Sequence, residues 1–197
     1  MTYNITEKET QSVIYDHFNG THDEIPARSC VSDLCKDWPL YHDASEWTNY
    51  RSMFAEEGAK AWTCDRSQSS AWSSHWEMKA TITQRFVVDD ISIDVECDSQ
   101  FIFWCLIEDG KWKAKYNRLF YEKDKVIAAD GKNLPVIFTK DGLEKYPEEY
   151  RYLAVAQHKI GYAILEDLPT MMGRPFGKIY DAMAGWLRGE EVYLNWD

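Results

Sequence analysis

Basic residues are scarce: 22 Lys and Arg stand against 33 Asp and Glu, a formal net charge of −11 with a pI near 4.9. A field of that sign repels a phosphate backbone and an anionic bilayer surface, so nucleic acid and membrane are excluded as expected partners. Long apolar runs are also missing; none approaches the ~20 residues that cross a bilayer. The opening stretch MTYNITEKETQS is polar and acidic, without the basic and apolar regions of a signal peptide, and a cytoplasmic location is expected. The five cysteines (Cys30, Cys35, Cys64, Cys97, Cys105) form no CxxC pair, and the histidines at 17, 22, 42, 75 and 158 show no zinc-ligand spacing. Free thiols and no metal are therefore expected. There is no Gly-rich phosphate loop, HExxH, GxSxG or EF-hand pattern, which leaves a hydrolytic triad, a nucleotide site and a dinucleotide site without support. No cofactor is expected, and no internal repeat is found.

What is abundant is aromatic: nine Trp, twelve Tyr and eight Phe in 197 residues. Such rings fill a small core or wall a pocket for a flat organic molecule. The length favours one domain with an appended segment, and 45% hydrophobic content suffices for a real core.

Residues 1–28 read as a polar arm. From Ser29 to Phe54 apolar residues recur at helical spacing, with Pro39 expected to interrupt the pattern or to open a new helix. Ser45 is a plausible N-cap for a helix from Glu46 to Phe54, with Trp47 turned into a core. AKAWTCD reads as a strand, and the serine-rich 66–77 as a loop carrying Trp72, His75 and Trp76. The period then switches to two: strands are expected at Lys79–Val88, Ile91–Glu96, Gln100–Ile107 and Trp112–Tyr121. Turns at Asp89-Asp90 and Asp109-Gly110 divide them, with EKDK (122–125) as a solvated strand end. Helical patterning returns near Pro147–His158 and Ile179–Leu187. This order predicts an α+β fold with helices laid across one face of a curved antiparallel sheet.

The candidate chemistry rests on scattered groups. Asp43, next to His42 and Tyr41, either forms a carboxylate–imidazole base in an aromatic pocket or helps to cap the following helix. His75, between two tryptophans, is a proton shuttle or a loop residue packed on an indole. Ser99, Lys115 and Asn117 could bind a ligand oxygen or face solvent, with Lys115 and Asn117 on one strand face. Phe101, Phe103 and Trp104 read as core.

The stretches DASEWTNYRSMFAEEGAKAW, MKATITQRF and CDSQFIFWCLIEDGKWKAKYNRLFYEKDK, with LEKYPEEYRYLAVAQ and DLPT, resemble fungal SnoaL-like proteins of the nuclear-transport-factor-2-like superfamily. The resemblance runs from about residue 29 to the end. Scytalone dehydratase and ketosteroid isomerase belong to the same superfamily. The resemblance implies a cone domain over 29–130, packed against a C-terminal helical extension over 131–197, and a homodimer through the outer sheet face. It places the dehydratase's catalytic aspartate on Asp43 and its pocket serine on Ser99. His42, Trp62 and Phe101 stand where that enzyme has two tyrosines and an asparagine, and 66–77 is shorter than the family's usual connection. The expected function is a cofactor-independent dehydration, isomerisation or cyclisation of a small aromatic or polyketide-like molecule by proton transfer. In it Asp43, His42 and His75 are catalytic, and Tyr41, Trp62, Trp72, Ser99, Phe101, Lys115 and Asn117 bind substrate. The alternative is a non-catalytic ligand-binding or assembly module of the same fold.

Overall fold

Two short acidic turns set the sheet. Asp89 and Asp90 have φ of 49° and 62°, and Asp109 and Gly110 have 51° and 74°. Positive φ at both central residues makes the tight hairpin turn whose twist matches the strands it joins, and Asp and Gly reach it at little steric cost. In the computed structural model, which describes residues 22–56, 73–165, 168–171, 175–192 and 194, these turns link β1 (Ser73–Val88), β2 (Ile91–Glu108) and β3 (Lys111–Ala128). The result is one antiparallel sheet in the order β1-β2-β3. The helices α1 (Glu24–Asp43) and α2 (Trp47–Ser52) precede it, and α3 (Lys140–Leu143), α4 (Arg151–Lys159) and α5 (Pro175–Leu187) follow. The expected α+β architecture, helices and then a curved, unclosed antiparallel sheet, is what the chain adopts.

The two faces of β2 have different chemistry. Its odd residues from Ile93 to Cys105 are all buried, forming an inner face. At one end Phe101, Phe103 and Cys105 pack with Val31 and Cys35 of α1. At the other, Ile93, Val95 and Cys97 pack with Leu153 and Ala156 of α4. The even residues form an outer face. There Ile102 and Trp104 lie under Ile179 and Met183 of α5, whose Trp186 indole N–H donates to the Ser74 and Cys105 carbonyls. Elsewhere on the outer face charged side chains pair across the strands, Arg85 with Asp94, Lys125 with Glu96, and Lys123 with Asp98.

Several expectations change here. The strands expected at Ile91–Glu96 and Gln100–Ile107 are one strand, because Asp94, Glu96 and Asp98 all face outward to cation partners or solvent while the inner face stays apolar. His75 and Trp76 belong to β1 rather than to a loop. β3 continues to Ala128, so EKDK is strand interior, and Glu122 is buried against Lys79 and Gln100. α1 begins before the expected arm boundary at residue 28 and runs through Pro39, which only forgoes donation to the Cys35 carbonyl. Ser45 is no N-cap: at φ 57° it makes the turn between α1 and α2, and Trp47 is 57% exposed. The strand expected at AKAWTCD, with Trp62 and Trp72, lies outside the described residues.

β3 carries two extra residues. Opposite Asp98-Ser99 the pairing steps from Lys123 to Tyr121, and opposite Trp104-Cys105 from Tyr116 to Ala114, leaving Glu122 and Lys115 unmatched. Each such bulge bends the strand and resets which side chains share a face. The free edge of β3 is partly covered, since Phe54 bridges to Ala114 and Thr170 to Tyr121.

Candidate functional site

The resetting at Glu122 builds the most unusual chemistry on the inner face. Tyr121 lies opposite Ser99 and Asp124 opposite Cys97, so side chains three apart in sequence share a face that strict alternation denies them. Ser99 and Cys97 are fully buried, with the Cys97 thiol 3.8 Å from the Ser99 hydroxyl. Above them the Tyr121 ring leans on Tyr150 with centroids 5.0 Å apart, and the Tyr150 hydroxyl donates to the Leu165 carbonyl at 3.0 Å. Asp124 reaches the start of α4, where its Oδ2 accepts the Leu153 N–H at 2.8 Å. The Tyr150 side chain makes no capping hydrogen bond, so a carboxylate from the sheet satisfies that helix N-terminus instead. Asp124 Oδ1 is buried and accepts no hydrogen bond among the described residues.

Burial governs the proton affinities here. It pushes the Asp124 carboxyl up to about 6, although the Leu153 and Tyr152 amides and the Arg151 charge pull the other way. Burial also lifts the Cys97 thiol to about 12, opposed by the Ser99 hydroxyl and assisted by the Asp124 and Asp98 charges. It raises Tyr121 to about 12 as well, with the neighbouring Cys97 and Tyr150 adding to the effect. Near neutrality Tyr121 and Cys97 are thus proton donors, and Asp124 titrates within reach of physiological pH. A carboxyl tuned in this way can hold or release a proton.

The residues singled out from the sequence are spread over three places. His42 Nδ1 and Asp43 Oδ1 are 3.1 Å apart, but these side chains are 51% and 81% exposed at the end of α1. His42 stacks on Trp38 (5.6 Å, 13°) and meets Trp47 edge-on at 5.8 Å. The expected pair therefore exists, yet Asp43 stands in solvent rather than in an aromatic pocket, because α1 extends through it and turns only at Ala44 and Ser45. Tyr41 donates to Asp37 along the same helix (3.2 Å), and that carboxylate raises its hydroxyl's proton affinity. His75, 3.7 Å from Glu77, lies opposite Trp104 on the outer face, across the sheet from Ser99 and α1. Ser99 and Phe101 are on the inner face, with Phe101 against Trp38 at 5.1 Å. Asn117 is opposite Phe103 on that face, but Lys115 is a bulge residue whose Nζ sits 5.9 Å from the Tyr116 ring, so the two do not share a face by alternation. Trp62 and Trp72 lie outside the described residues. Among the described residues no His, Cys, Asp and Glu side chains gather as a metal-binding group.

Sequence reasoning missed Asp124 and Tyr121. The available signal was the apolar Tyr121 and Val126, five apart yet both packed with the inner-face core, which demands one extra residue between them.

No family model matches the chain. An uncharacterized protein of Emericella nidulans is 31% identical over 219 residues, covering 88% of this chain and 91% of its own. A PEP2-like protein of Fusarium vanettenii is 30% identical, covering 89% and 92%. Pea pathogenicity protein 2 of the same fungus is 29% identical, covering 88% and 91%. These similarities cover about nine tenths of both chains, and the chain belongs to the fungal PEP2-like family.

Proposed function

We propose that the chain is a SnoaL-like member of the nuclear-transport-factor-2-like superfamily and a cofactor-independent acid–base enzyme. It binds a small aromatic or polyketide-like molecule at the inner sheet face and catalyses a dehydration, isomerisation or cyclisation. The observation that carries this reading is Asp124, a largely buried carboxyl raised to about 6 on the same face as Ser99 and Tyr121. As carboxylate, Asp124 removes a proton next to a ligand carbonyl. The Tyr121 and Ser99 hydroxyls donate to the oxygen on which charge develops. Asp43 is 81% exposed and so is not a desolvated carboxylate, and the proton transfer is assigned to Asp124. The helices followed by a curved antiparallel sheet support the superfamily assignment.

The test uses 1-tetralone and 2-tetralone, aromatic ketones with exchangeable α-hydrogens. Binding is read by tryptophan quenching and α-hydrogen exchange into D2O by proton NMR. Wild type should accelerate exchange, with a rate rising through an apparent pKa near 6. Asp124→Asn should abolish the acceleration and keep the fold, while Asp43→Asn should retain it. Failure to accelerate exchange of either ketone refutes the enzyme reading.

The second reading, a non-catalytic ligand-binding or assembly module, is favoured by the full burial of Ser99 and Cys97 under the chain's own helices. It predicts binding without exchange. The proposed homodimer uses the outer sheet face, where the ion pairs lie. Light scattering at micromolar concentration checks it, and a monomer mass refutes it.

A further inference from the structure

The inner face holds a second pair of reactive groups, remote from Asp124. Cys35 of α1 and Cys105 of β2 are both fully buried in one apolar cluster, and Cys105 is close enough to raise the proton affinity of the Cys35 thiol. They come from elements far apart in sequence, and their neighbours Val31, Phe101, Phe103 and Ala114 are all apolar. Two thiols in one buried cluster, at the seam between a helix and a sheet, are placed to join when their sulfurs meet. Both are free in this structure.

We propose that Cys35 and Cys105 form a redox clamp, a disulfide that ties α1 to β2 under oxidising conditions. The oxidant is a small disulfide such as oxidised glutathione. One cysteine thiolate attacks it, forming a mixed disulfide and expelling one glutathione thiolate. The second cysteine thiolate then attacks the protein sulfur of that mixed disulfide, expelling the second glutathione. Two protein thiols become one disulfide; two electrons and, after protonation, two protons end on two glutathione molecules. The Cys35 thiol resists ionisation because the neighbouring Cys105 and its burial both raise its proton affinity. Reaction therefore proceeds through openings in which α1 lifts from the sheet, and the exposed Cys30 reacts first. Once formed, the clamp holds α1 against Phe101 and Phe103 and suppresses those openings. This inference is independent of the acid–base reading, since its readout needs no ligand.

The test incubates the full chain with oxidised glutathione in a graded glutathione buffer, followed by peptide mapping without reduction. A Cys30→Ser background removes the one exposed thiol among the described residues. The expected product is a Cys35–Cys105 linked peptide, slow to form and accelerated by low urea. The oxidised protein should show a urea midpoint higher by about 1 M and slower amide exchange along α1. Cys35→Ala and Cys105→Ala, each in that background, should abolish both the linked peptide and the midpoint shift. Glutathione adducts at either position without the linked peptide, or a linked peptide that leaves α1 exchange unchanged, would overturn the clamp.

Discussion

Replacing Asp124 by Asn separates the charge of this carboxyl from its hydrogen bonding. The amide oxygen still accepts the Leu153 N–H, so the start of α4 keeps its cap, while the buried charge is gone. Burial raises the carboxyl from 3.8 to about 6, which means that the folded state holds this proton more tightly than the unfolded state does. The stabilisation from that proton is complete below 3.8 and is lost as pH rises through about 6. A shift of about two units at ~1.4 kcal/mol each gives roughly 3 kcal/mol of stability lost between pH 3.5 and pH 7.5.

Other carboxyls act in the opposite sense. Asp94, hydrogen-bonded by Arg85, and Asp98, hydrogen-bonded by Thr81, are held below the usual range, so their contributions vanish as pH falls through their folded values. They are solvent-facing and shared by both proteins, so the difference between wild type and Asp124→Asn isolates the buried group. Urea unfolding followed by tryptophan fluorescence at pH 4.0, 5.5 and 7.5 measures it. The two proteins should be close in stability at pH 4.0, with the variant gaining on wild type by up to about 3 kcal/mol at pH 7.5. A difference that stays flat over this range refutes the claim that Asp124 is a desolvated carboxyl, and with it the basis for its acid–base role.

Three further outcomes test the fold. Trp104→Ala removes a fully buried ring between the sheet and α5, and should cost about 3–5 kcal/mol by chemical denaturation. Gly110→Ala places a side chain at φ 74° in the β2–β3 turn with nothing within 4 Å to clash, so the loss should be only the backbone strain, about 1 kcal/mol; a loss above 3 kcal/mol would contradict the turn geometry. Glu122→Ala deletes the acceptor of Lys79 and Gln100, and because the lysine is 59% exposed the cost should be near 1 kcal/mol and shrink in high salt.

The parts of this fold legible in the sequence are those fixed by local chemistry. Asp89-Asp90 and Asp109-Gly110 announce their turns because few other residues accept positive φ there, and the alternation between them announces strands. The helix ends were less legible. Pro39 looks like a boundary, yet losing one hydrogen bond costs less than giving up the contacts that Trp38 makes with Phe101 and Phe103, so α1 continues. That continuation carries Asp43 past the sheet into solvent, and an expected pocket residue becomes a surface one.

Asp124 was hidden for a different reason. In LFYEKDKV, strict period two groups Asp124 with Phe120 and Glu122, on the face of β3 that looks outward, where an acid among lysines reads as solvated. A single inserted residue at Glu122 moves everything beyond it to the opposite face. Val126 thereby joins Tyr121 in the inner core, and Asp124, carried with it, is brought beneath α4 beside Cys97. The apolar residues decide the register because burying Val126 is worth more than solvating one carboxylate that α4 amides can satisfy. The buried charge is the consequence of that choice, and its raised proton affinity measures what the register costs.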